Sequence, residues 1–400
     1  MKPNSKNASP LHLTLTSAFK NRRLETVGIS GKKITPKSPR WSVRKLTLHG
    51  GKQEGVDVIV VDNGKLAFTV VPTRGMGVLE ARLGDVRLGW DSPVKEVVHP
   101  RHINLQSRSG LGWLDGFNEW LVRCGLESNG GPGPDKFISN NGDESVIELT
   151  LHGKIANIPA SEVEVVVDRK PPYRICVRGR VDERMMLGPQ LELWTEISTV
   201  PGSSQLCIKD TITNRGGGEQ EFELLYHANY GSPLLEAGAS FLAPVADIAP
   251  INKHAEEFVR GYSTFTGPTE GFVEQVYCFH PLADPTGKTV IALTNRDRDR
   301  AISMSYAVSE LPCLTLWKNT ASKTDGYVTG LEPGTNFPNR RRIERAHGRV
   351  PKLAPGASYS ATIDYAIHVG AKQVTSLAKR IATIQGKRKP VVIRLARKKV

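Results

Sequence analysis

The chain has no run of 18 apolar residues, so no segment reads as a transmembrane helix. Its five cysteines (Cys124, Cys176, Cys207, Cys278 and Cys313) are odd in number and form no C-x-x-C pair. This argues against a disulfide framework or a zinc site, and for reduced, mostly buried thiols in the cytoplasm. Also missing are a G-x-S-x-G elbow, a phosphate loop and a dinucleotide fingerprint. No short internal repeat marks a propeller. Between residues 56 and 368 no stretch has convincing helical periodicity. Near the N-terminus, Leu11–Phe19 is short and broken by His12 and Thr14, and makes a poor secretory leader.

What is plentiful is basic charge, unevenly placed. The formal net charge is +14. Residues 1–45 hold eleven Lys/Arg against one acid, Glu25, and residues 371–400 hold ten with no acid. Residues 46–370 keep 33 basic and 39 acidic side chains, so the centre is mildly acidic. That distribution argues against a specific nucleic-acid surface, while the basic ends suit non-specific contact with anions. The organisation expected is a poorly ordered, Ser-, Asn- and Pro-rich extension over 1–45, one globular domain over 46–370, and a basic tail over 371–400 with a short helix at 372–384.

Within the centre, strand-like runs follow one another. Val56–Val61 and Leu66–Val71 flank an Asn63-Gly64 hairpin signal. Ser145–Leu151, Glu162–Val167, Gln190–Ile197, Gln205–Thr213, Cys313–Trp317 and Tyr359–His368 continue the series. Several alternate apolar and polar residues, as half-buried antiparallel strands do. The fold class expected is all-β, a large antiparallel sandwich or barrel. Residues 91–143 break the pattern with Trp113, Trp120 and many glycines; an irregular segment of that length usually covers a site.

A few residues stand where chemistry is possible. Glu332 lies in Thr329-Gly-Leu-Glu-Pro-Gly-Thr-Asn-Phe-Pro-Asn-Arg340, read as a stiffened loop beyond the Leu314–Trp317 strand and a plausible place for a general base. His152 ends a strand before Gly153, and His227 ends the strand Phe222–Tyr226. Arg74, in Pro72-Thr-Arg-Gly-Met76, could bridge hydroxyls with its fork of donors. Trp317, Trp113 and Tyr230 are aromatics at strand ends or in loops. His99 and His102 lack the carboxylate or cysteine company of a metal site, and no metal or other cofactor is expected.

Taken in order, Thr-Arg-Gly-Met (73–76), Leu-His-Gly (151–153), Tyr-His (226–227), Leu-Trp (316–317) and Leu-Glu-Pro (331–333) resemble the galactose mutarotase (aldose 1-epimerase) superfamily, and most closely its less characterised bacterial aldose-1-epimerase-like branch. The resemblance spans about residues 50–370. It implies a β-supersandwich with a sugar cleft across a concave sheet, and an enzyme that interconverts the anomers of a monosaccharide without a cofactor. It also implies Glu332 as general base, His227 as general acid and His152 as a sugar ligand; by their own chemistry Arg74 and Asn229 would hold sugar hydroxyls, and Tyr230 and Trp317 could stack on a sugar face. All four of Glu332, His227, His152 and Arg74 should then face one cleft, with Glu332 and His227 flanking a gap of sugar width. Two departures stand out. Asn229 occupies the place where the familiar mutarotases have an aromatic, and residues 104–131 match none of the better-known enzymes. The alternatives are a non-catalytic carbohydrate-binding protein and an isomerase or epimerase of a modified (deoxy or keto) sugar.

Overall fold

The structure, a computed structural model, describes residues 9–394. Two large sheets dominate it. The first runs, in spatial order, through Ser240–Leu242, Lys288–Thr294, Arg300–Ala307, Ser358–Val369, Gln205–Asn214, Gln190–Thr199, Ile175–Arg184, Glu162–Val167, Leu11–Ser17 and Arg22–Arg23. The second runs through Val391–Val392, Asp247–Pro250, Gln275–Phe279, Cys313–Asn319, Val328–Gly334, Glu223–Tyr230, Leu121–Leu126, Gly77–Leu83, Ala67–Val71, Asp57–Asp62, Ser42–Thr47 and Val27–Ser30, with Val86–Leu88 beside Gly77–Leu83. Strand pairing within them is antiparallel, apart from the short parallel pairing of Asp247–Ile248 with Val391–Val392. The all-β sandwich expected from the alternating runs is the observed architecture.

Alternation explains how the layers meet. Val165, Val177, Leu193 and Ile208 of the first sheet share one core with Ile59, Val70, Tyr226 and Leu316 of the second. Burial of such side chains is the main favourable term in folding. An ion pair crosses this core. Arg123 Nε donates to Asp210 Oδ2, Arg123 Nη1 donates to the Met76 carbonyl at 3.0 Å, and both charged side chains are fully buried.

Two expectations about the ends are corrected. Residues 9–45 are not a loose extension. Leu11–Ser17 pairs along Glu162–Val167, and its Leu15 is fully buried. Val27–Ser30 and Ser42–Thr47 extend the second sheet beyond Asp57–Asp62. Trp41 is buried between them and donates its indole N–H to Thr35 Oγ1 at 2.8 Å. Composition hid this, because Leu11-His-Leu-Thr-Leu-Thr-Ser17 alternates apolar and polar residues amid basic neighbours. At the other end, Ala371–Gln385 forms the expected helix. It is not merely tail, since Val374, Leu377 and Ile381 pack on Val290, Ala292 and Ala301 of the first sheet. Residues 1–8 and 395–400 lie outside the described residues.

One buried carboxyl gives stability a pH dependence. Glu223 Oε2 accepts the Asn129 N–H at 2.8 Å, while its Oε1 is buried without a partner among the described residues. Burial pushes the carboxyl up to about 7. An unfolded glutamate titrates near ~4.3. Between those values the folded state holds a proton that the unfolded chain has released, so stability falls as pH rises through the window. Glu223→Gln is expected to flatten this fall, measured as the change in urea midpoint between about pH 5 and about pH 7.5.

Candidate active site

The outer face of the second sheet carries a cavity of about 560 Å³, a size that suits a small-molecule ligand. Strand parity decides which side chains reach it. On Glu223–Tyr230, Leu224, Tyr226, Ala228 and Tyr230 face the core, leaving His227 and Asn229 on the opposite face. On Cys313–Asn319, Leu314 and Leu316 face the core, and Thr315 and Trp317 line the cavity. On Val328–Gly334, Leu331 faces the core and Glu332 lines the cavity.

Glu332 is therefore a strand residue and not a loop residue, paired across to Thr315. The Gly- and Pro-rich composition that suggests a loop has a different use here. Between the two central strands the register pairs Leu225 with Gly334 and then Ala228 with Leu331. Tyr226, His227, Glu332 and Pro333 fall in the interval between these pairs, and Pro333 has no N–H to give a ladder. The ladder thus opens where His227 and Glu332 meet. His227 Nε2 lies 3.2 Å from Glu332 Oε1, and both side chains are nearly fully buried. The expected sugar-wide gap between them is absent: on adjacent central strands, the two side chains touch.

Gly330 makes that contact possible. A Cβ there would come within 2.4 Å of Glu332 Oε1 and 3.2 Å of His227 Cε1. Its backbone is compatible with alanine, and the crowded atom is the tip of a flexible side chain. Gly330→Ala is expected to fold with a urea midpoint close to wild type but to displace Glu332, lowering any catalytic rate at this site by about tenfold or more.

Aromatic side chains wall the pair. Trp113 and Phe117 lie 4.6 Å apart by ring centroids, Trp90 and Phe117 5.0 Å, Phe117 and His227 5.1 Å, and His227 and Trp317 5.4 Å. The expected irregular segment 91–143 is corrected in its later part, which holds the strands Leu121–Leu126 and Gly133–Ile138. Trp90, Trp113 and Phe117 come from or border residues 91–120, the part that covers the site. Its fold is tied down by Ser92 Oγ–H donating to the Phe117 carbonyl (2.7 Å) and Asn118 Nδ2 donating to the Glu96 carbonyl (2.7 Å). Trp317 is oriented by Glu274, whose Oε2 accepts its indole N–H at 2.8 Å.

His152 also lines the cavity, edge-on to Trp113 at 4.6 Å and to His227 at 5.4 Å. Its Nδ1–H donates to the Asn129 carbonyl at 2.8 Å, which leaves Nε2 as an acceptor. Burial pushes its pKa down to about 4, so it is neutral at physiological pH. Gly153 must follow it, because a Cβ there would sit within 2.1 Å of the Ser128 carbonyl oxygen.

Three expected sugar contacts are corrected. Arg74 does not line the cavity. It is buried, with Nε donating to Glu119 Oε1 (2.8 Å), Nη1 to Asn157 Oδ1 (2.7 Å) and Nη2 to the Gly116 carbonyl (2.9 Å). Its donors are spent on holding the covering segment. Asn229 is fully buried behind His227 and contacts its ring. Tyr230 has the wrong parity and packs in the core against Trp120, at 6.4 Å. Conversely, Trp90, Phe117, Glu274 and Asp325 line the cavity without having been singled out. For Glu274 the signal was available, since period-two alternation carried back from Val276 places it on the cavity face.

Burial shifts the central pair in opposite directions. It lowers His227 well below the usual imidazole range, with nearby His152 adding to the effect. It raises Glu332 well above the usual carboxyl range, with Glu274 adding to it. Both groups are driven towards their neutral forms. Among the described residues no lysine or arginine lines the cavity. Among the described residues no group of three or more His, Cys, Asp or Glu is arranged to hold a metal ion.

Residues 53–367 match a family model described as "Domain of unknown function (DUF4432)". The chain belongs to the DUF4432 family. No curated protein matches it. Among solved structures, this DUF4432 chain is similar to a "putative aldose 1-epimerase" from Klebsiella pneumoniae subsp. pneumoniae, with 40% identity over 96% of this chain and 98% of that one, and a TM-score of 0.91. It is similar at fold level to a galactose mutarotase-like protein from Clostridium acetobutylicum, with 15% identity, a TM-score of 0.54 and coverage of 82% and 98%. A galactose 1-epimerase from Lactobacillus acidophilus gives 10% identity, a TM-score of 0.50 and coverage of 82% and 99%. The DUF4432 domain thus has the galactose mutarotase-like fold, as its motif order implies.

Proposed function

We propose that this protein is an aldose 1-epimerase-like enzyme that interconverts sugar anomers by acid/base ring opening. The observation that carries the reading is the Glu332–His227 contact on the floor of an aromatic-walled cavity. Three lining side chains there, Trp113, Thr315 and Glu332, each hold a buried polar atom (Nε1, Oγ1 and Oε1) with no hydrogen-bond partner among the described residues. Such atoms call for a ligand that brings its own polar groups. A sugar ring supplies both hydroxyls for them and apolar faces for Trp113, Phe117 and Trp317.

The chemistry needs one proton removed from the anomeric hydroxyl and one delivered to the ring oxygen. A carboxyl and an imidazole held in contact can do both, and reversal on the other carbonyl face completes the exchange. The five thiols, unpaired in the structure and four of them buried, suit a reducing, cytoplasmic setting. Exchange NMR across a panel of aldoses, deoxy sugars and keto sugars tests the proposal. Accelerated anomer exchange for at least one sugar is the expected result. A titration that saturates with no accelerated exchange would assign the cleft to binding alone.

A further inference from the structure

The hydrogen bonds around the pair fix where its proton sits. Asn229 Nδ2 donates to the Glu119 carbonyl (3.0 Å) and to the His227 carbonyl (3.2 Å). These two acceptors settle the orientation of the amide, so Asn229 Oδ1 is the atom that faces His227 Nδ1, at 2.6 Å. An amide oxygen can only accept, so His227 Nδ1 carries a hydrogen. His227 Nε2, facing Glu332, is then either a bare lone pair or the second N–H of an imidazolium.

The surroundings of Glu332 decide between these. Among the described residues no side chain or backbone group donates a hydrogen bond to its carboxyl, and Oε1 is buried without a partner. An imidazolium would be the carboxylate's one nearby cation, at 3.2 Å, but a buried ion pair whose carboxylate has no further hydrogen bonds loses more in desolvation than it gains, whereas the neutral pair does not. The groups facing the pair supply no compensating positive charge. They are His152, Trp113, Phe117 and Trp317 around His227, Glu274 and Cys124 near Glu332, and Asn229 behind. His152 is itself held neutral by burial, which outweighs the bond to the Asn129 carbonyl that favours its charged form.

We propose that the resting proton lies on Glu332, that Asn229 holds His227 with its Nε2 lone pair towards the cavity, and that ring opening therefore begins with His227 as base and Glu332 as acid. This rests on the ring-opening reading and reverses the roles that the motif resemblance implies. In the step, the anomeric O1–H proton passes to His227 Nε2 and the O1–H electron pair becomes the second C1–O1 bond. The C1–O5 bond breaks, and O5 takes the proton of Glu332. The products are the open-chain aldehyde, a charged imidazolium and a carboxylate, and closure returns both protons. Asn229 is a positioning residue: it touches the imidazole and not the sugar.

The test is spectroscopic and does not need turnover. In ¹⁵N-labelled full-length protein, His227 is assigned by comparison with His227→Gln. Its spectrum is expected to show an N–H-type Nδ1 and a lone-pair-type Nε2, unchanged between about pH 6 and about pH 8. Two N–H-type nitrogens, or a proton on Nε2 alone, would overturn the proposal. Infrared difference spectra against Glu332→Gln should contain a neutral-carboxyl band, and a carboxylate band in its place would also overturn it. Asn229→Asp puts a carboxylate on Nδ1 and is expected to turn His227 into an imidazolium at neutral pH. It should also move the acid limb of kcat/KM up by about two units or more, a loss of about a hundredfold or greater at a pH below that limb. A wild-type nitrogen pattern and pH limb in that variant would remove Asn229 from the account. Where the variant does not fold, the wild-type spectra still decide the proton's place. Absence of anomer exchange with every sugar would sink the enzymatic reading while leaving the spectra as they are, so the two failures are distinguishable.

Discussion

Glu332→Gln is expected to slow anomer exchange by about 10²–10⁴-fold while the protein stays folded. The amide has nearly the same size and leaves the aromatic walls in place, but it can neither hold nor release the proton. His227→Asn should lose a similar factor. Because the two groups act as a unit, the double variant should lose little more than either single one. Polarimetry or exchange NMR at saturating sugar measures the rate, and a binding titration separates lost chemistry from lost affinity. If Glu332→Gln matched wild type for every sugar that wild type turns over, Glu332 would have no part in the chemistry.

Arg123→Met is expected to destabilise the fold by ~3–5 kcal/mol, because it leaves the Asp210 carboxylate buried and uncompensated between the sheets. That is a large share of the ~5–15 kcal/mol by which a typical domain is stable. Asp210→Leu should cost a similar amount by stranding the guanidinium. Replacing both together, Arg123→Met with Asp210→Leu, should recover most of the loss, since a well-packed apolar pair often equals a buried ion pair. Urea midpoints for the three variants check this. Equal losses that simply add would mean that the two charges are not coupled across the core.

How much of this was readable beforehand depended on distance along the chain. Local alternation was enough for the all-β class, because each strand displays its own period in runs such as Gln190–Thr199. The same rule would have separated Asn229 from Tyr230: two residues after His227 shares its face, and three residues after does not. The stretch around Glu332 reads as a loop, since Gly330, Pro333 and Gly334 are turn formers. Only the neighbouring strands reveal that Gly330 makes room for the Glu332 tip and that Pro333 sits at a gap in the ladder. Arg74 could not be read locally at all. Its carboxylate partner is 45 residues away and its amide partner 83, so nothing near it in the chain says that its donors are already occupied. The direct contact between His227 and Glu332 was likewise hidden, because it is set by which strands are neighbours and by how their register falls.

The order of strands in the first sheet has a consequence for synthesis. Leu11–Ser17 is made early, yet its partner Glu162–Val167 follows some 145 residues later. At roughly 5–20 residues per second the early strand waits on the order of 7–30 s with one hydrogen-bonding edge unserved. A wait of the same length occurs elsewhere, since Thr213 meets Ser358 across 145 residues. Ser358–Val369 is the last long strand made, and it lies in the middle of the sheet, between Gln205–Asn214 and Arg300–Ala307. Until it leaves the ribosome, the sheet exists as two halves with open inner edges. A chain that stalls before residue 369 would therefore be an aggregation hazard through those open edges.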